Sequence, residues 1–370
     1  MLNVRVLRGA VAIAAVSVAL VVAGDLWRPP AEVAADVPAL EPFHALVRWD
    51  AGWYGEIAAH GYWLTPGQQS PVAYFPLYAL LIRALTWLGV NRWVAGALVS
   101  LTCALVALVL FSRWAELVRG PNAATATWVL ALYPFCVYLY GILYSDALFL
   151  VLAVGAFLAL EEDRPVLAAL LGAFAAATRP VAPALVLGLL ARGLERRRTK
   201  GLAMRPVDLV PALAGLGLLA YMAFLFSRFG DPLAFAHVQG APGWDQPPGW
   251  EAWLKLSWFH TMFPKVAPLV ALRLGGHALA TLCALALVPA TFKRLGWGYG
   301  TYCLIAVGLP AVSSKDFQGM GRYAIAAFPL FLAWAVTLDA RPRLRLAWLV
   351  GSALALAFCA VALGTGGYVA

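Results

Sequence analysis

The chain has 370 residues, of which 63% are hydrophobic and only 12% are charged. A soluble globular protein has about 45–50% apolar and about 25% charged residues, so this composition excludes a soluble enzyme. The net charge of +9 falls in short Lys and Arg clusters between apolar runs, which is typical of membrane orientation signals and not of nucleic-acid binding. The composition therefore predicts an all-α polytopic membrane protein.

Apolar runs that suit membrane-spanning helices recur along the whole chain. A spanning helix needs about 20 mainly apolar residues. The first run, 8–27, lacks a good cleavage site for a signal peptidase, so we expect a retained anchor. Several later runs are short for a full crossing, which predicts broken or tilted helices. About eleven spans are predicted, near residues 8–27, 93–112, 122–140, 146–160, 165–178, 181–194, 207–226, 267–290, 295–312, 323–338 and 344–363.

Positive charges give these spans one consistent orientation. With the N-terminus in the cytoplasm, most Lys and Arg residues fall in short inner connections, as the positive-inside rule requires. The chain is then a single integral membrane domain over 1–370, with two long extracytoplasmic loops, 28–92 and 227–266. Within the first loop, residues 74–90 predict an interfacial helix that lies against the outer leaflet.

The densest polar and aromatic cluster lies in the first of these loops. Asp50 precedes an apparent short helix, so it is expected either to cap that helix or to act as a general base toward an incoming hydroxyl group. Arg48 is expected to bind an anionic group or to neutralise Asp50. The neighbouring residues predicted to contact the acceptor or shape the site are Arg48, Trp49, Trp53, Tyr54 and Glu56.

A second cluster lies at the predicted outer ends of the third and fourth spans. It contains Tyr144, a further candidate for shaping the site, and Asp146. Asp146 is either the cap of the fourth span or a functional carboxylate, because an acidic residue close to the hydrocarbon is costly to keep. Together, Asp50 and Asp146 are expected to face one outer cavity and to share acceptor binding and base catalysis.

Four basic residues are also predicted on the outer face: Arg179, His260, Lys315 and Arg322. Each one alone is explained as an interface anchor or a contact to a lipid phosphate. As a set they suit a phosphate group held at membrane depth, because Arg offers a bidentate fork to phosphate oxygens. The five cysteines have no metal-type spacing, and the sequence lacks the phosphate-binding loop, dinucleotide, HExxH and GxSxG motifs.

The motif at 48–54, followed by Tyr-Phe-Pro-Leu-Tyr at 74–78, resembles a known family. It is similar to the PIG-V-type mannosyltransferases, which add the second mannose in glycosylphosphatidylinositol assembly, and to their bacterial relatives. Shorter pieces agree in order: Tyr-Ser-Asp at 144–146, Thr-Arg-Pro at 178–180 and Gly-Arg-Tyr at 321–323. The resemblance implies the GT-C fold, a catalytic site in extracytoplasmic loops and a polyprenyl-phosphate-linked sugar as donor.

The resemblance also implies roles for individual residues. Asp50 matches the catalytic aspartate of the family, and Arg322 matches the basic position assigned to the donor phosphate, whereas Asp146 stands where relatives often have Glu. We expect an inverting transfer of a hexose, with mannose as the expected sugar. Arg and Lys can stabilise a monophosphate leaving group, so no divalent metal or other cofactor is required, although the two carboxylates could bind a metal ion. The Ala-, Gly-, Val- and Arg-rich composition indicates a high-GC bacterium, hence a plasma-membrane protein with a glycolipid or other cell-envelope acceptor.

Two other functions are compatible with the predicted spans. A transporter or flippase of a lipid-linked substrate explains the hydrophobicity equally well, but such proteins place coupling charges near the membrane midplane. Here the acidic and aromatic clusters lie in outer loops, which favours the transferase. A non-catalytic membrane subunit that scaffolds a partner is the third hypothesis, and the presence of Asp50 makes it less favoured.

Overall fold

The structure, a computed structural model, describes residues 4–27, 37, 43–120, 124–246, 249–263 and 266–369. These residues form helices joined by turns and short 3-10 segments, and no strand occurs among them. Residues 28–36 and 38–42 of the first predicted loop, and the start of the predicted span 122–140, lie outside the described residues. The α-helices in chain order are α1 (Val4–Trp27), α2 (Phe43–Leu46), α3 (Ala51–His60), α4 (Pro76–Trp87), α5 (Arg92–Arg119), α6 (Ala124–Ala131), α7 (Asp146–Glu161), α8 (Pro165–Ala176), α9 (Ala182–Thr199), α10 (Leu216–Phe229), α11 (Ala234–His237), α12 (Trp250–Trp253), α13 (Leu256–Met262), α14 (Pro268–Leu295), α15 (Trp297–Ser313), α16 (Met320–Tyr323), α17 (Pro329–Asp339) and α18 (Pro342–Gly364).

Several of these helices have the length and composition of membrane spans. In the described part of the chain, five are long and apolar enough to cross a membrane: α1, α5, the unit Pro206–Phe229 that contains α10, α14 and α18. A sixth crossing is added if the bent pair Met320–Ala326 and Pro329–Asp339 forms one span. The predicted all-helical, multispanning architecture is therefore confirmed, and the count of eleven spans stays a prediction.

Two predicted spans are broken beside candidate site residues. In 122–140, α6 ends at Ala131 and a 3-10 segment, Pro134–Leu139, follows; Pro134 lacks the backbone N–H that an α-helix would need there. In 323–338, the chain bends by 90° between Met320–Ala326 and α17. The first break leads into Asp146, and the second follows the short segment that contains Arg322, so both bring irregular backbone to the candidate site.

Connections predicted on the same side of the membrane pack against one another. α7 begins at Asp146 and ends at Glu161, so these two residues mark opposite ends of the bundle. At the Glu161 end, its carboxylate accepts hydrogen bonds from Arg192 Nε and from the Tyr299 hydroxyl, each at 2.7 Å. All three residues belong to connections or helix ends predicted to be cytoplasmic. The connections that carry the candidate site residues meet at the other end.

The helices of the first predicted outer loop, α2, α3 and α4, pack on α5. α4 confirms the helix predicted within 74–90, and it begins at Pro76, whose fixed φ suits the first position of a helix. The buried Tyr78 donates a hydrogen bond to Gly96 of α5 at 2.9 Å. Arg83 donates to the carbonyl oxygen of Ala58 at 2.7 Å, which attaches α4 to α3. The position of α4 at the membrane interface stays a prediction.

Candidate active site

Asp50 lies immediately before α3, but its carboxylate does not cap that helix. Its backbone is already helical, with φ −61° and ψ −14°, and its side chain makes no capping hydrogen bond. Instead, Oδ1 accepts a hydrogen bond from the Tyr74 hydroxyl at 3.2 Å, and the backbone N–H donates to the Tyr144 hydroxyl at 3.2 Å. The side chain is 24% exposed. Asp50 is therefore fixed in position by hydrogen bonds, and its carboxylate is accessible to solvent or to a ligand.

Tyr74 keeps its proton in this environment. Burial, followed by the nearby charge of Asp50, raises the pKa of the Tyr74 phenol well above its usual value. The phenol thus remains a hydrogen-bond donor to Asp50 at neutral pH. The ring of Trp53 stacks on the ring of Tyr74, with centroids 5.8 Å apart and planes 19° apart.

One guanidinium group connects the two candidate aspartates. Nη1 of Arg322 lies 3.5 Å from Oδ2 of Asp50 and 3.7 Å from Oδ2 of Asp146. The same guanidinium lies over the rings of Tyr144, at 4.6 Å, and Tyr138, at 5.4 Å. Among the described residues, Arg322 is the cation paired with the Asp50 carboxylate.

Asp146 lies deeper than Asp50 and is enclosed by two arginines. It is the first residue of α7, and its side chain is 2% exposed. Oδ1 accepts a hydrogen bond from Nη1 of Arg179, while Oδ2 faces Arg322. A buried carboxylate needs such partners, because an uncompensated charge would be costly. This geometry suits the positioning of two cations better than the direct proton transfer expected from the sequence.

Arg322 is placed by contacts that the sequence analysis missed. It lies in α16, and the preceding residue, Gly321, donates its N–H to Nδ1 of His277 at 3.2 Å. A Cβ atom at position 321 would collide with the ring of Phe135, so the close approach requires glycine. His277 is fully buried in α14. A lone histidine inside an apolar span was the signal for this role, since such residues are rare in spans without a function.

The end of the described chain covers the same site. The ring of Tyr368 lies edge-to-face against Trp49, with centroids 4.9 Å apart. The guanidinium of Arg273 lies 5.7 Å from the Tyr368 ring centroid. Burial, and then the charge of Asp50, raises the pKa of the Tyr368 phenol. Tyr368 follows α18 in a short turn that no sequence motif marked.

Arg48 and Tyr54 attach the start of α3 to the bundle. The buried guanidinium of Arg48 forms an ion pair with Asp25 of α1 and donates to the carbonyl oxygen of His44 at 2.8 Å. The hydroxyl of Tyr54 shares a hydrogen bond of 2.8 Å with Oγ of Ser145. Both contacts fix the position of Asp50 relative to α1 and α7.

Three further candidates lie apart from the two aspartates. Glu56 pairs with Arg92 of α5 at 3.4 Å, and Nζ of Lys315 lies 3.7 Å from the carboxylate of Asp245. His260 is exposed on α13, and no hydrogen bond or ion pair within the described ranges joins it to Asp50 or Asp146. Of the four predicted phosphate-binding residues, the structure thus places Arg179 and Arg322 at the aspartates.

The helical arrangement matches that of known oligosaccharyltransferases. The crystal structure of the Archaeoglobus fulgidus oligosaccharyltransferase in the apo form aligns with 97% of this chain at 14% sequence identity and a TM-score of 0.52. The fold is of the GT-C class. Archaeal AglB from the same organism, in complex with an inhibitory peptide and a dolichol-phosphate, aligns with 97% of this chain at 14% identity and a TM-score of 0.49.

The match to the apo structure confirms the fold class predicted from the sequence. The chain spans 56% of the length of each of these two structures. No protein-family model matches the sequence, and no curated protein matches it. The relation to PIG-V-type mannosyltransferases accordingly stays a prediction from the motifs.

Proposed function

We propose that this chain is a glycosyltransferase that moves a hexose from a polyprenyl-phosphate donor to a hydroxyl group of an acceptor. The observation that carries the proposal is the accessible carboxylate of Asp50, which lies 3.5 Å from the guanidinium of Arg322. A base for the attacking hydroxyl and a cation for the departing phosphate are the two groups that this reaction needs. The GT-C fold supports the proposal by analogy.

In the proposed reaction, Asp50 accepts the proton of the acceptor hydroxyl as its oxygen attacks the anomeric carbon. The bond between that carbon and the phosphate oxygen breaks, and its electron pair leaves with the polyprenyl phosphate. Arg322, together with Arg179, stabilises the negative charge that develops on the phosphate. Attack from the face opposite the leaving group inverts the anomeric configuration. The arginines supply the positive charge, so no step is assigned to a metal ion.

Asp146 is proposed to act through these arginines. Its two oxygens face different guanidinium groups, and its side chain is 2% exposed. A carboxylate in this position neutralises part of the positive charge and holds both side chains in place. It is therefore a positioning residue in this mechanism.

The finer assignments rest on the motifs of the sequence. We propose mannose as the sugar and a lipid-linked or cell-envelope glycoconjugate as the acceptor, as in the PIG-V-type family that the motifs at 48–54 and 74–78 resemble. The proposed location is a bacterial plasma membrane, with the N-terminus in the cytoplasm. The loops 28–92 and 227–266 of the single integral membrane domain would then lie outside the cell, together with the active site.

The test is an assay of the full-length protein in vesicles that contain polyprenyl-phosphomannose and native membrane lipids. Release of polyprenyl phosphate and movement of the donor between leaflets are measured in parallel. Asp50→Asn should lower the release rate by about 10²-fold or more, since a general base is lost. Asp231→Asn is the matched control, because Asp231 is an outer-loop carboxylate that pairs with His237 at 2.7 Å. Near-normal release by Asp50→Asn contradicts the proposal, and donor movement without release favours a transporter.

A further inference from the structure

A cluster of aromatic side chains lies beside Asp50, on the side of its Oδ1 oxygen. We call Trp53, Trp63, Tyr74 and Trp244 the aromatic cluster. Trp53 is at its centre, with ring centroids 6.4 Å from Trp63, 5.8 Å from Tyr74 and 6.0 Å from Trp244. Tyr74 is the residue that donates its hydroxyl to Asp50. The cluster therefore begins in direct contact with the proposed base.

The aromatic cluster is neither a closed core nor a set of membrane anchors. Trp63 is 37% exposed, and the other three rings are partly exposed. By comparison, a single ring of the kind expected for a membrane anchor, Trp87 at the end of α4, is 80% exposed. Several large rings that pack together and still leave a face open are typical of a binding surface, because such rings contribute most of the energy of recognition.

Charged side chains stand at the edge of this surface. Asp245 follows Trp244 directly, its backbone has a φ of 48°, and its side chain is 60% exposed. Its Oδ2 accepts the N–H of Gly243 at 3.0 Å and lies 3.7 Å from Nζ of Lys315. The side chain of Gln246 accepts the backbone N–H of Lys315 at 2.7 Å. The left-handed backbone at Asp245 is uncommon for a residue other than glycine, and it directly follows the Trp244 ring of the cluster.

We propose that the aromatic cluster, with Asp245 and Lys315 at its edge, binds a sugar residue of the acceptor. A pyranose has a face of C–H groups that packs flat on an aromatic ring. Its hydroxyl groups radiate from the edge, where they donate to a carboxylate and accept from an ammonium group. A lipid chain would require an apolar groove without charges. This surface combines aromatic rings with charged side chains, which is the combination that a sugar requires.

This inference rests on the proposed function and makes it more specific. The cluster contacts Asp50 through the Tyr74 hydroxyl, so a sugar bound on the cluster would lie close to the proposed base, and the hydroxyl that attacks the donor would belong to that sugar. The acceptor would then be a glycan, in contrast to the hydroxyl group of a peptide or of a simple lipid. It also assigns Lys315 to the acceptor, where the sequence alone had assigned it to the donor phosphate.

The binding test uses the full-length protein in detergent and saturation-transfer difference NMR. The probe is methyl α-D-mannopyranoside, and mannitol is the control, because mannitol has the hydroxyl groups without a ring face. We expect saturation of the ring protons of the pyranoside and little of mannitol. Trp244→Ala and Trp63→Ala should each reduce the affinity by about fivefold, as expected for the loss of one ring contact. Trp244→Phe should retain most of the binding, and Trp87→Ala should retain all of it.

Equal saturation signals from the pyranoside and from mannitol would overturn the inference. Equal losses of affinity in Trp87→Ala and Trp244→Ala would also overturn it. Folding of each variant is checked by its elution volume and its thermal midpoint.

Transfer kinetics separate this inference from the proposed function. Trp244→Ala should raise the KM for a mannoside acceptor with little change in kcat, whereas Asp50→Asn should lower kcat. If Asp50→Asn loses activity while Trp244→Ala leaves both the binding of the pyranoside and the KM unchanged, the proposed function stands and the proposed sugar site is wrong. If the pyranoside binds but the protein releases no polyprenyl phosphate, the proposed function is wrong.

Discussion

Nη1 of Arg322 lies 3.5 Å from the carboxylate of Asp50 and 3.7 Å from that of Asp146, so one cation serves two acids of different exposure. The side chain of Asp50 is 24% exposed and that of Asp146 is 2% exposed. In the proposed reaction, the donor phosphate contacts Arg322 on the more exposed side of Asp50, while the buried Asp146 holds the guanidinium in place. The unequal exposure gives the two carboxylates different roles in the proposed reaction, and it leads to separate predictions for each member of the cluster.

Arg322→Lys should lower the rate of polyprenyl phosphate release at saturating donor by roughly 10- to 100-fold. Lysine keeps the positive charge but loses the planar fork, and one hydrogen bond to a charged group contributes about 1.5–3 kcal/mol. The control is Arg228→Lys, because Arg228 is exposed at the end of α10. Equal release rates in the two variants would show that the fork is not needed.

Asp146→Asn should destabilise the protein far more than Asp50→Asn. Removing one partner of a buried ion pair costs about 3–5 kcal/mol, because the remaining charge is left uncompensated. Asp50 is partly solvated, so its loss costs less. The thermal midpoints of both variants in detergent provide the measurement, and the double variant Asp146→Asn/Arg179→Met should recover part of the loss. Similar midpoints for the two single variants would contradict a structural role of Asp146.

His277→Leu should impair donor binding through Arg322. The variant leaves the buried N–H of Gly321 without its acceptor, which costs about 1–3 kcal/mol and displaces the start of α16. We expect the KM for the polyprenyl-phosphate donor to rise by about 5- to 50-fold. His277→Asn keeps an acceptor at a similar position and should restore most of the affinity. If both variants lower the thermal midpoint and leave the KM unchanged, the histidine serves stability alone.

Lys255 should make the stability of the protein depend on pH. It lies outside the predicted spans, is 6% exposed, and donates from Nζ to the carbonyl oxygen of Ser314 at 2.6 Å. Burial lowers its pKa to about 8, from 10.5. Between these values the folded protein binds fewer protons than the unfolded protein, so the free energy of unfolding rises with pH by up to about 1.4 kcal/mol per unit.

The measurement for Lys255 compares the wild type with Lys255→Met by chemical denaturation between pH 6 and pH 10. The difference in unfolding free energy should be constant below about pH 7 and should then change in favour of the wild type. A difference that stays flat up to pH 10 would mean that Lys255 keeps its proton in the folded protein.

Local sequence patterns predicted the elements of this fold well. The helix after Asp50 and the helix within 74–90 follow from residues close together in the chain, because apolar periodicity acts over one or two turns. The residues 122–140 and 323–338 were each predicted as one span, so only the structure located the breaks near Pro134 and Pro329. The GT-C class followed from motifs spread over most of the chain. By contrast, the bend before Pro329 has no local signal for its angle of 90°.

The sequence by itself determined that this chain is a multispanning helical protein and which connections carry its charges, since hydropathy and charge are properties of each segment alone. Only the tertiary structure decided which of those charges meet. It placed Arg322 and Arg179 at the aspartates. It paired Arg48 with Asp25 and Lys315 with Asp245. It also brought His277 into hydrogen-bond contact with Gly321, the residue before Arg322. These partners are set by how the helices pack, and the distance between two residues along a chain contains no information about that packing.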